Sequence, residues 1–299
     1  MPARETPDSR PEIDAALVRR LVDTQFPQWA ELPLERVDPA GSDHVIHRLG
    51  EGLAVRLPRH SGALGQARKE FAWLPRLAPH LPLAVPVPVA VGEPDLGYPW
   101  AWAVSRWLDG DVATVGALAD SAAAVAELAG FLRALQGCTP DDMPAEGTHP
   151  DLTSGGLADR DRTTRAAITE VAGTFDSTAL TAVWDAALSA QGWERPPVWF
   201  HGDFHTGNLL TLDGRLSAVI DFGGLGIGDP ACDMTVAFTS MSATSREVFR
   251  AALGVDDATW SRGRGWDLTT ALNAYTAYAD NDPRVAAQTT RQITEALIG

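Results

Sequence analysis

Residues 198–222 read Val198-Trp-Phe-His-Gly-Asp-Phe-His-Thr-Gly-Asn-Leu-Leu-Thr-Leu-Asp-Gly-Arg-Leu-Ser-Ala-Val-Ile-Asp-Phe222. An apolar lead-in is followed by a polar loop, residues 201–208, and then by two apolar runs on either side of Asp213-Gly214. An Asp-Gly pair between apolar runs favours a β-hairpin, because a type I′ turn needs a positive φ at both central residues. The stretch therefore predicts a polar loop between a short strand and a hairpin.

The predicted hairpin brings together side chains that bind divalent metals. A two-residue turn places Asn208 opposite Val219, with Asp221 just beyond it at the same end of the ribbon. Asp203 lies in the loop that leads to Asn208. Mg²⁺ prefers oxygen ligands and shares its coordination shell with phosphates. Phosphoryl transfer also needs a carboxylate that stays off the metal and orients the attacking hydroxyl. The three polar side chains therefore indicate Mg²⁺-assisted phosphoryl transfer.

The same residues carry a family resemblance. Asp203-x₄-Asn208 followed by Ile220-Asp221-Phe222 resembles the catalytic loop and metal motif of kinase-fold phosphotransferases. The longer pattern resembles the aminoglycoside phosphotransferase family, which includes macrolide and choline kinases. It reads His201-Gly202-Asp203-Phe204-His205-x-Gly207-Asn208, then Asp221, then Gly228-Asp229-Pro230-x-x-Asp233. Phe204 and Thr206 stand where the family most often has Leu and Pro, and neither position takes part in the chemistry.

The resemblance implies a fold and a set of roles. The fold is α+β and protein-kinase-like, with a small antiparallel β-sheet lobe and a larger, mostly helical lobe. Asp203 becomes the catalytic carboxylate, and Asn208 and Asp221 become the ligands of Mg²⁺. Arg56 stands where the family more often has Lys, with Glu70 as its partner; Arg keeps the charge and can clamp a phosphate with two hydrogen bonds.

The resemblance assigns six further residues to the nucleotide. They are Gly41 and Ser42 in a phosphate-covering turn, Arg106 and Leu108 in a hinge that reads the purine through backbone groups, and Leu210 and Ile220 beneath the base. His201 is expected to tether the polar loop, and His205 either braces that loop or faces the acceptor. Asp229 and Asp233 are expected to be structural residues at a helix start.

Two other interpretations of the polar loop stay open. His201-x-Asp203-x-His205 places three potential ligands on one strand face, as in a metallohydrolase. Such a site usually needs further ligands, whereas the other histidines lie far upstream or alone. A non-catalytic hairpin is the second alternative. Phosphoryl transfer is favoured over both, because it accounts for all the linked motifs.

The rest of the chain divides at Asp109-Gly110. Residues 1–109 are expected to form a nucleotide-binding lobe with an N-terminal helix, and residues 110–299 a helical lobe with the catalytic loop and the acceptor site. In the first lobe we expect helices at 12–24 and 64–77 and strands near 34–38, 44–49, 53–57, 86–91 and 100–107. In the second we expect helices near 117–135, 163–172, 178–190, 245–253, 264–280 and 283–298.

Charge and composition restrict the partners. The net charge is −15, which argues against a nucleic-acid backbone as partner. Residues 111–299 hold 25 acidic and 12 basic side chains, a net of −13. A polar, Pro-bearing N-terminus and the lack of a long apolar run predict neither a signal peptide nor a membrane span. Two cysteines are consistent with free thiols in a reducing cytoplasm.

The predicted reaction moves the γ-phosphoryl group of ATP or GTP, as its Mg²⁺ complex, to a hydroxyl of a small molecule. The expected acceptor is an amine-bearing antibiotic, in resistance or in the self-protection of a producer, bound by residues 139–165 and 260–282. A metabolic kinase of an amino alcohol or sugar is the alternative enzyme. A nucleotide-binding pseudokinase scaffold is a third possibility, against which the intact Asp203, Asn208 and Asp221 argue.

Overall fold

The chain forms two compact units in a computed structural model, which describes residues 11–38, 43–139 and 155–299. The first unit comprises residues 1–79 and 84–109, and the second comprises residues 80–83 and 110–299. Both cysteines are free and buried, as expected. No helix within the described ranges is long and apolar enough to cross a membrane.

The first unit contains a five-stranded antiparallel sheet and two helices. Its strands are β1 (Leu34–Arg36), β2 (His44–Leu49), β3 (Leu53–Pro58), β4 (Pro88–Gly92) and β5 (Trp102–Arg106), and its helices are α1 (Ala15–Gln25) and α2 (Gln66–Leu77). The strands lie in the order β1-β2-β3-β5-β4. All five predicted strands and both helices are present. The proline-rich strand β4 lies at an edge, where the missing N–H of Pro88 breaks no central ladder.

The register of this sheet separates an apolar face from a polar one. Val45, Leu49 and Leu57 belong to the core of the unit together with the apolar side of α1. Arg56 alternates with these residues and pairs with Ile46 on β2. Because successive side chains of a strand point to opposite faces, Arg56 lies on the face opposite that core.

The second unit is mostly helical and contains two small antiparallel sheets. Its helices are α3 (Val115–Leu118), α4 (Ala122–Gln136), α5 (Asp161–Glu170), α6 (Ser177–Ser189), α7 (Thr235–Ser240), α8 (Ala243–Leu253), α9 (Asp257–Tyr278) and α10 (Pro283–Ile298). Its strands are β6 (Asp111–Val112), β7 (Val198–Phe200), β8 (Leu209–Leu212), β9 (Arg215–Val219) and β10 (Gly226–Gly228). The two sheets have the strand orders β6-β8-β9 and β10-β7.

The helix predicted over 117–135 is confirmed from Ala122 onward, but its start is wrong, because the chain forms the separate helix α3 before α4. Ser121 starts the second helix, since its side chain accepts a hydrogen bond from the N–H of Ala124 at 3.2 Å. Such an N-cap satisfies an otherwise unpaired donor and favours a new helix start. The alanine-rich pattern alone does not show this interruption.

The predicted hairpin is confirmed in its turn. Asp213 and Gly214 have φ of 52° and 76°, the positive values that a type I′ turn requires. Leu212 pairs with Arg215, as a two-residue turn demands. The turn chemistry of the sequence therefore sets the start of the β8–β9 ladder.

Further along the hairpin the predicted register is wrong by one residue. The register shifts between Leu210 and Thr211, so Leu209 rather than Asn208 lies opposite Val219. Ser217 is the extra residue, and its hydroxyl donates to the carbonyl oxygen of Leu210 at 3.2 Å. Such a β-bulge adds one residue to one strand. Asn208 and Asp221 still lie at the same end, because the N–H of Ile220 donates to the carbonyl of Asn208 at 2.9 Å.

Helix α9 supports the short 3₁₀ helix that follows β10. This 3₁₀ helix spans Pro230–Met234 and contains Asp233. Gly263 of α9 lies so close to it that a Cβ would approach the Cβ of Met234 to 2.4 Å and the carbonyl oxygen of Ala231 to 3.0 Å. A glycine is therefore required at this contact.

We expect Gly263→Ala to lower the free energy of unfolding by about 1–3 kcal/mol, because the added methyl overpacks this contact. Gly130→Ala is the matched control, since Gly130 is also inside a helix and has no atom within 4 Å of an added Cβ. The control variant should gain about 0.5–1 kcal/mol from helix propensity. Chemical denaturation of both variants measures the difference, and equal gains would contradict the proposed contact.

Candidate active site

The polar segment after β7, the His201–Asn208 loop, is anchored at its start by one buried carboxylate. The N–H groups of His201 and Gly202 donate to Oδ2 and Oδ1 of Asp233, each at 2.8 Å. Asp233 is completely buried. Burial raises the pKa of its carboxyl to about 7, although the two N–H groups favour the charged form. The first two residues of the loop are therefore fixed to the 3₁₀ helix of Asp233, which is a structural role but not the one at a helix start that was expected for it.

A backbone contact between two glycines joins this loop to the segment after β9. Gly202 has φ of 85°, and a Cβ there would come within 2.1 Å of the carbonyl oxygen of Gly224. Just before this contact, Asp221 adopts a left-handed conformation with φ of 62°. Asp enters this region more readily than most residues, but the conformation still carries some strain outside a tight turn. The contact holds the segment of Asp221 against the segment of Asp203.

His201 tethers the loop through both ring nitrogens, as expected. Its Nδ1 accepts a hydrogen bond from the N–H of Asp203 at 3.2 Å, and its Nε2 lies 3.0 Å from the carbonyl oxygen of Ile220. Nδ1 therefore needs a lone pair, and Nε2 carries the proton. Burial lowers the pKa of His201 to about 4, so the ring is neutral near pH 7. With both nitrogens engaged, His201 is not available as a metal ligand, which contradicts the metallohydrolase alternative.

Asp203 presents a charged carboxylate at the surface of the loop. Half of its side chain, 51%, is exposed. Its Oδ2 accepts a hydrogen bond from Nδ2 of Asn208 at 2.9 Å and lies 3.4 Å from Nε2 of His205. Burial of the inner part raises the pKa of Asp203, but contacts with His205 and Asn208 outweigh it, and the pKa lies below its usual value. Asp203 is therefore ionised at neutral pH.

Asn208 is oriented so that its amide oxygen faces away from these contacts. Its Nδ2 donates to the carbonyl oxygen and to Oδ2 of Asp203, both at 2.9 Å. Because the two hydrogens of the amide are used, Oδ1 is left as an oxygen ligand. No group of three or more His, Cys, Asp or Glu side chains in the described ranges is arranged to hold a metal. An amide oxygen together with the Asp221 carboxylate nevertheless fits Mg²⁺, which takes few protein ligands when phosphates supply the others.

His205 has two opposing influences on its charge. Burial lowers its pKa and the Asp203 carboxylate raises it, and the carboxylate prevails, so the pKa of His205 lies above its usual value. The Asp221 carboxylate acts in the same direction. Asp203 and Asp221 therefore both lie close enough to His205 to affect its ionisation.

In the first unit, Arg56 and Glu70 form the ion pair that the sequence predicts. Nη1 of Arg56 lies 2.7 Å from Oε2 of Glu70, and the residues are only 8% and 1% exposed. The pair joins β3 to α2. A buried charge of this kind needs its partner, because an isolated one is very costly.

The other residues assigned to the nucleotide have mixed outcomes. The N–H of Arg106 donates to the carbonyl oxygen of Val87 at 2.9 Å, so only its own carbonyl oxygen remains to meet a base. Leu210 is buried, whereas Leu108 and Ile220 are half-buried. Gly41 and Ser42 lie outside the described residues.

The two segments expected to bind the acceptor lie against each other where the structure describes them. The hydroxyls of Thr164 and Thr269 are 2.6 Å apart. The guanidinium of Arg160 lies over the ring of Trp266 at 4.7 Å. Residues 140–154 of the first segment lie outside the described residues.

The contact between Gly202 and Gly224 was not predicted from the sequence. The Gly223-Gly224 pair directly after Asp221-Phe222 is the signal that indicates a close backbone approach. Asp229 has the expected role at a helix start, since it caps the 3₁₀ helix through the N–H of Ala231 at 3.0 Å. Asp233 is structural as well, but it anchors the loop instead. Asp229 also pairs with Nε of Arg262 at 2.7 Å, a contact that has no signature in the sequence.

The model of the phosphotransferase enzyme family matches residues 35–266 of this chain. A comparison with curated proteins finds no match. Among solved structures, the GDP complex of wild-type aminoglycoside 2′-phosphotransferase-IIIa has a TM-score of 0.70 at 18% identity, with coverage of 96% of this chain and 99% of that chain. Macrolide 2′-phosphotransferase MphH from Brachybacterium faecium has a TM-score of 0.60 at 21% identity, covering 93% and 97%.

A third similar structure is the streptomycin-ATP-APH(2″)-IIa ternary complex. Its TM-score is 0.58 at 15% identity, and the match covers 95% of this chain and 97% of that chain. At such identities, these three similarities establish the protein-kinase-like fold. They agree with the antiparallel sheet of the first unit and the helices of the second.

The raised pKa of Asp233 predicts a pH-dependent stability. Its carboxyl has a pKa of about 7 in the folded protein and of about 4 when unfolded. The folded state therefore binds this proton more strongly, and stability falls as the pH rises through that window. Asp233→Asn cannot titrate. The free energy of unfolding of the parent minus that of the variant should fall by up to about 4 kcal/mol between pH 4 and pH 7.

Urea unfolding of both proteins at several pH values measures this difference. The subtraction removes the contributions of other buried carboxyls, such as Asp267. A difference that rises with pH would show that the two N–H groups, rather than burial, dominate the ionisation of Asp233.

Proposed function

We propose a reaction for this chain from one premise: it belongs to the phosphotransferase enzyme family. It transfers the γ-phosphoryl group of ATP or GTP, as a Mg²⁺ complex, to a hydroxyl of a small molecule. The observation that supports this most strongly is the Asp203 carboxylate, which is ionised, half exposed and held by the loop through only one of its two oxygens. The other oxygen, Oδ1, is left to accept a hydrogen bond from an acceptor hydroxyl.

The lowered pKa of Asp203 suits orientation of the hydroxyl rather than early removal of its proton. In a loose phosphoryl-transfer transition state the attacking oxygen needs to lose its proton only late. Positioning then supplies much of the rate, because a hydroxyl held in line converts an encounter into a unimolecular step. Asp203 therefore acts as an orienting group that receives the proton as transfer is completed.

The amide oxygen of Asn208 and the carboxylate of Asp221 would hold Mg²⁺. When bound, the ion neutralises charge on the phosphate oxygens of the donor. Arg56, held by Glu70, would anchor a phosphate through its guanidinium. The proposal includes both ATP and GTP as phosphoryl donors, because one solved structure of similar fold is a GDP complex and another contains ATP.

We propose that the acceptor is an amine-bearing antibiotic. Solved structures of similar fold include phosphotransferases named for aminoglycosides and for a macrolide. The net charge of −13 over residues 111–299 supports a cationic acceptor, since a negative field raises the local concentration and the association rate of cations. Phosphorylation of such a compound would serve resistance or self-protection.

Nucleotide consumption tests this assignment. ATP and GTP are each supplied with Mg²⁺ and a panel of aminoglycosides, macrolides, peptide antibiotics and nucleoside antibiotics, and products are identified by mass. Amino alcohols and sugars form the comparison set. Turnover with that set alone would replace the antibiotic by a metabolic substrate. Nucleotide binding without any turnover would indicate a scaffold.

We expect Asp203→Asn to lose about 10²–10⁴-fold in kcat, because the amide cannot take up the acceptor proton. Binding of nucleotide and Mg²⁺, measured by calorimetry, should be unchanged, since Asp203 is assigned to the acceptor and not to the metal. A variant within tenfold of the parent in turnover would remove Asp203 from the catalytic role.

For the metal, we expect Asp221→Ala to weaken Mg²⁺-dependent nucleotide binding much more than Asn208→Ala. A carboxylate offers the ion a full charge, whereas an amide offers only a dipole. Calorimetric titration of nucleotide with and without Mg²⁺ separates the two variants. Small and equal losses would contradict the assignment of both residues as ligands.

A further inference from the structure

His205 lies between two groups of its own loop. Its Nδ1 is 3.1 Å from the N–H of Gly207, which donates to it. A Cβ on Gly207 would approach Cε1 of the ring to 2.8 Å, so only glycine lets the imidazole lie against the backbone there. The other side of the ring faces Asp203, with Nε2 at 3.4 Å from Oδ2. The ring therefore has a fixed place and a fixed orientation.

The hydrogen bond from Gly207 determines where the ring proton lies. Nδ1 must offer a lone pair to that N–H, so the neutral ring carries its hydrogen on Nε2. A protonated ring also carries a hydrogen there, and the Nε2 donor is thus present in both ionisation states. Nε2 is 3.3 Å from Nδ2 of Asn208, but both hydrogens of that amide are used by Asp203. Asn208 therefore donates to Oδ2 of Asp203, and the hydrogen on Nε2 of His205 lies toward the same oxygen in a longer, electrostatic contact of 3.4 Å.

We infer that His205 is a positioning residue for the proposed phosphoryl transfer. Together with Asn208 it fixes the Asp203 carboxylate so that Oδ2 is occupied inside the loop and Oδ1 faces the acceptor hydroxyl. A half-exposed carboxylate with a single donor can rotate about its last bond, and a second donor on the same oxygen restricts that rotation. This inference rests on the proposed function.

The arrangement also determines which oxygen takes the proton. Two donors withdraw charge from Oδ2, which leaves Oδ1 as the more basic oxygen. As the acceptor oxygen bonds to the γ-phosphorus, its proton passes to Oδ1. The bond from the γ-phosphorus to the bridging oxygen breaks, and the nucleoside diphosphate leaves with the electron pair. Because the ring nitrogens of His205 face Gly207 and Asp203, neither is left to bind the acceptor.

A matched pair of substitutions at His205 distinguishes positioning of the Asp203 carboxylate from bracing of the loop at Gly207. In His205→Asn the side-chain oxygen takes the place of Nδ1 and keeps the bond with Gly207, but no donor reaches Asp203. In His205→Gln the terminal amide takes the place of Nε2 and keeps that donor, but the partner of Gly207 is lost. We expect the Gln variant to stay within about tenfold of the parent in kcat and the Asn variant to lose about 10²-fold, a typical cost of a misplaced catalytic group. The KM values for the acceptor and the nucleotide should be unchanged in both variants.

The opposite pattern, an active Asn variant with an impaired Gln variant, would reduce His205 to a loop brace. A rise in the acceptor KM at constant kcat would instead mean that His205 contacts the acceptor, and it would also overturn the inference. Melting temperatures of the two variants show whether folding contributes. An inactive parent protein would refute the proposed function itself and not this pattern.

A measurement that needs no turnover completes the test. Nitrogen-15 NMR of the parent at pH 8 reports the tautomer of each histidine, and the His205→Asn spectrum identifies the signal by its loss. We expect a hydrogen on Nε2 and none on Nδ1 of His205. A hydrogen on Nδ1 would overturn the inference whether or not the protein is active, because the ring would then not face Asp203 as a donor.

Discussion

The candidate active site depends on one buried carboxylate that accepts two backbone hydrogen bonds. Asp233 holds the N–H groups of His201 and Gly202 at 2.8 Å, and these are the two residues before Asp203. A buried carboxylate is stable only when its oxygens have partners, and a loop keeps its shape only when its N–H groups have acceptors. The carboxylate therefore supplies acceptors to the two N–H groups, and the N–H groups supply hydrogen bonds to the carboxylate. Because Asp233 lies on a 3₁₀ helix against α9, this bond connects the loop to the core of the second unit.

Around this bond, glycines stand at the two places where the loop backbone closely approaches another backbone segment or a ring. Gly202 meets Gly224, and Gly207 meets the imidazole of His205. The first contact holds the segment of Asp221 beside that of Asp203, and the second fixes a ring between Gly207 and Asp203. In each case glycine allows an approach that a Cβ would prevent. The positions of the polar side chains thus depend partly on glycines, which carry no functional group.

Much of the fold follows from local chemistry, and the sequence shows it. The Asp213-Gly214 turn was predictable because both residues tolerate the positive φ that the turn needs. The pairing of Arg56 with Glu70 was predictable from the family motif. Ser217 was not, because a β-bulge depends on where the hydroxyl finds an acceptor across the ladder. The interruption of the helix before Ser121 was not predicted either, because the alanine-rich pattern runs through it.

The electrostatics of the loop would favour joint binding of the proposed metal and nucleotide. Asp203 and Asp221 both raise the pKa of His205, and Asp203 also acts on Asp233, so three carboxylates share one small region. His201 cannot compensate them, because burial keeps its ring neutral, and only His205, whose pKa they raise, offsets part of their charge. Such a site attracts a divalent cation but repels the phosphates of a free nucleotide. Bound Mg²⁺ would reverse that sign, and by linkage the nucleotide would strengthen the binding of the metal by the same factor.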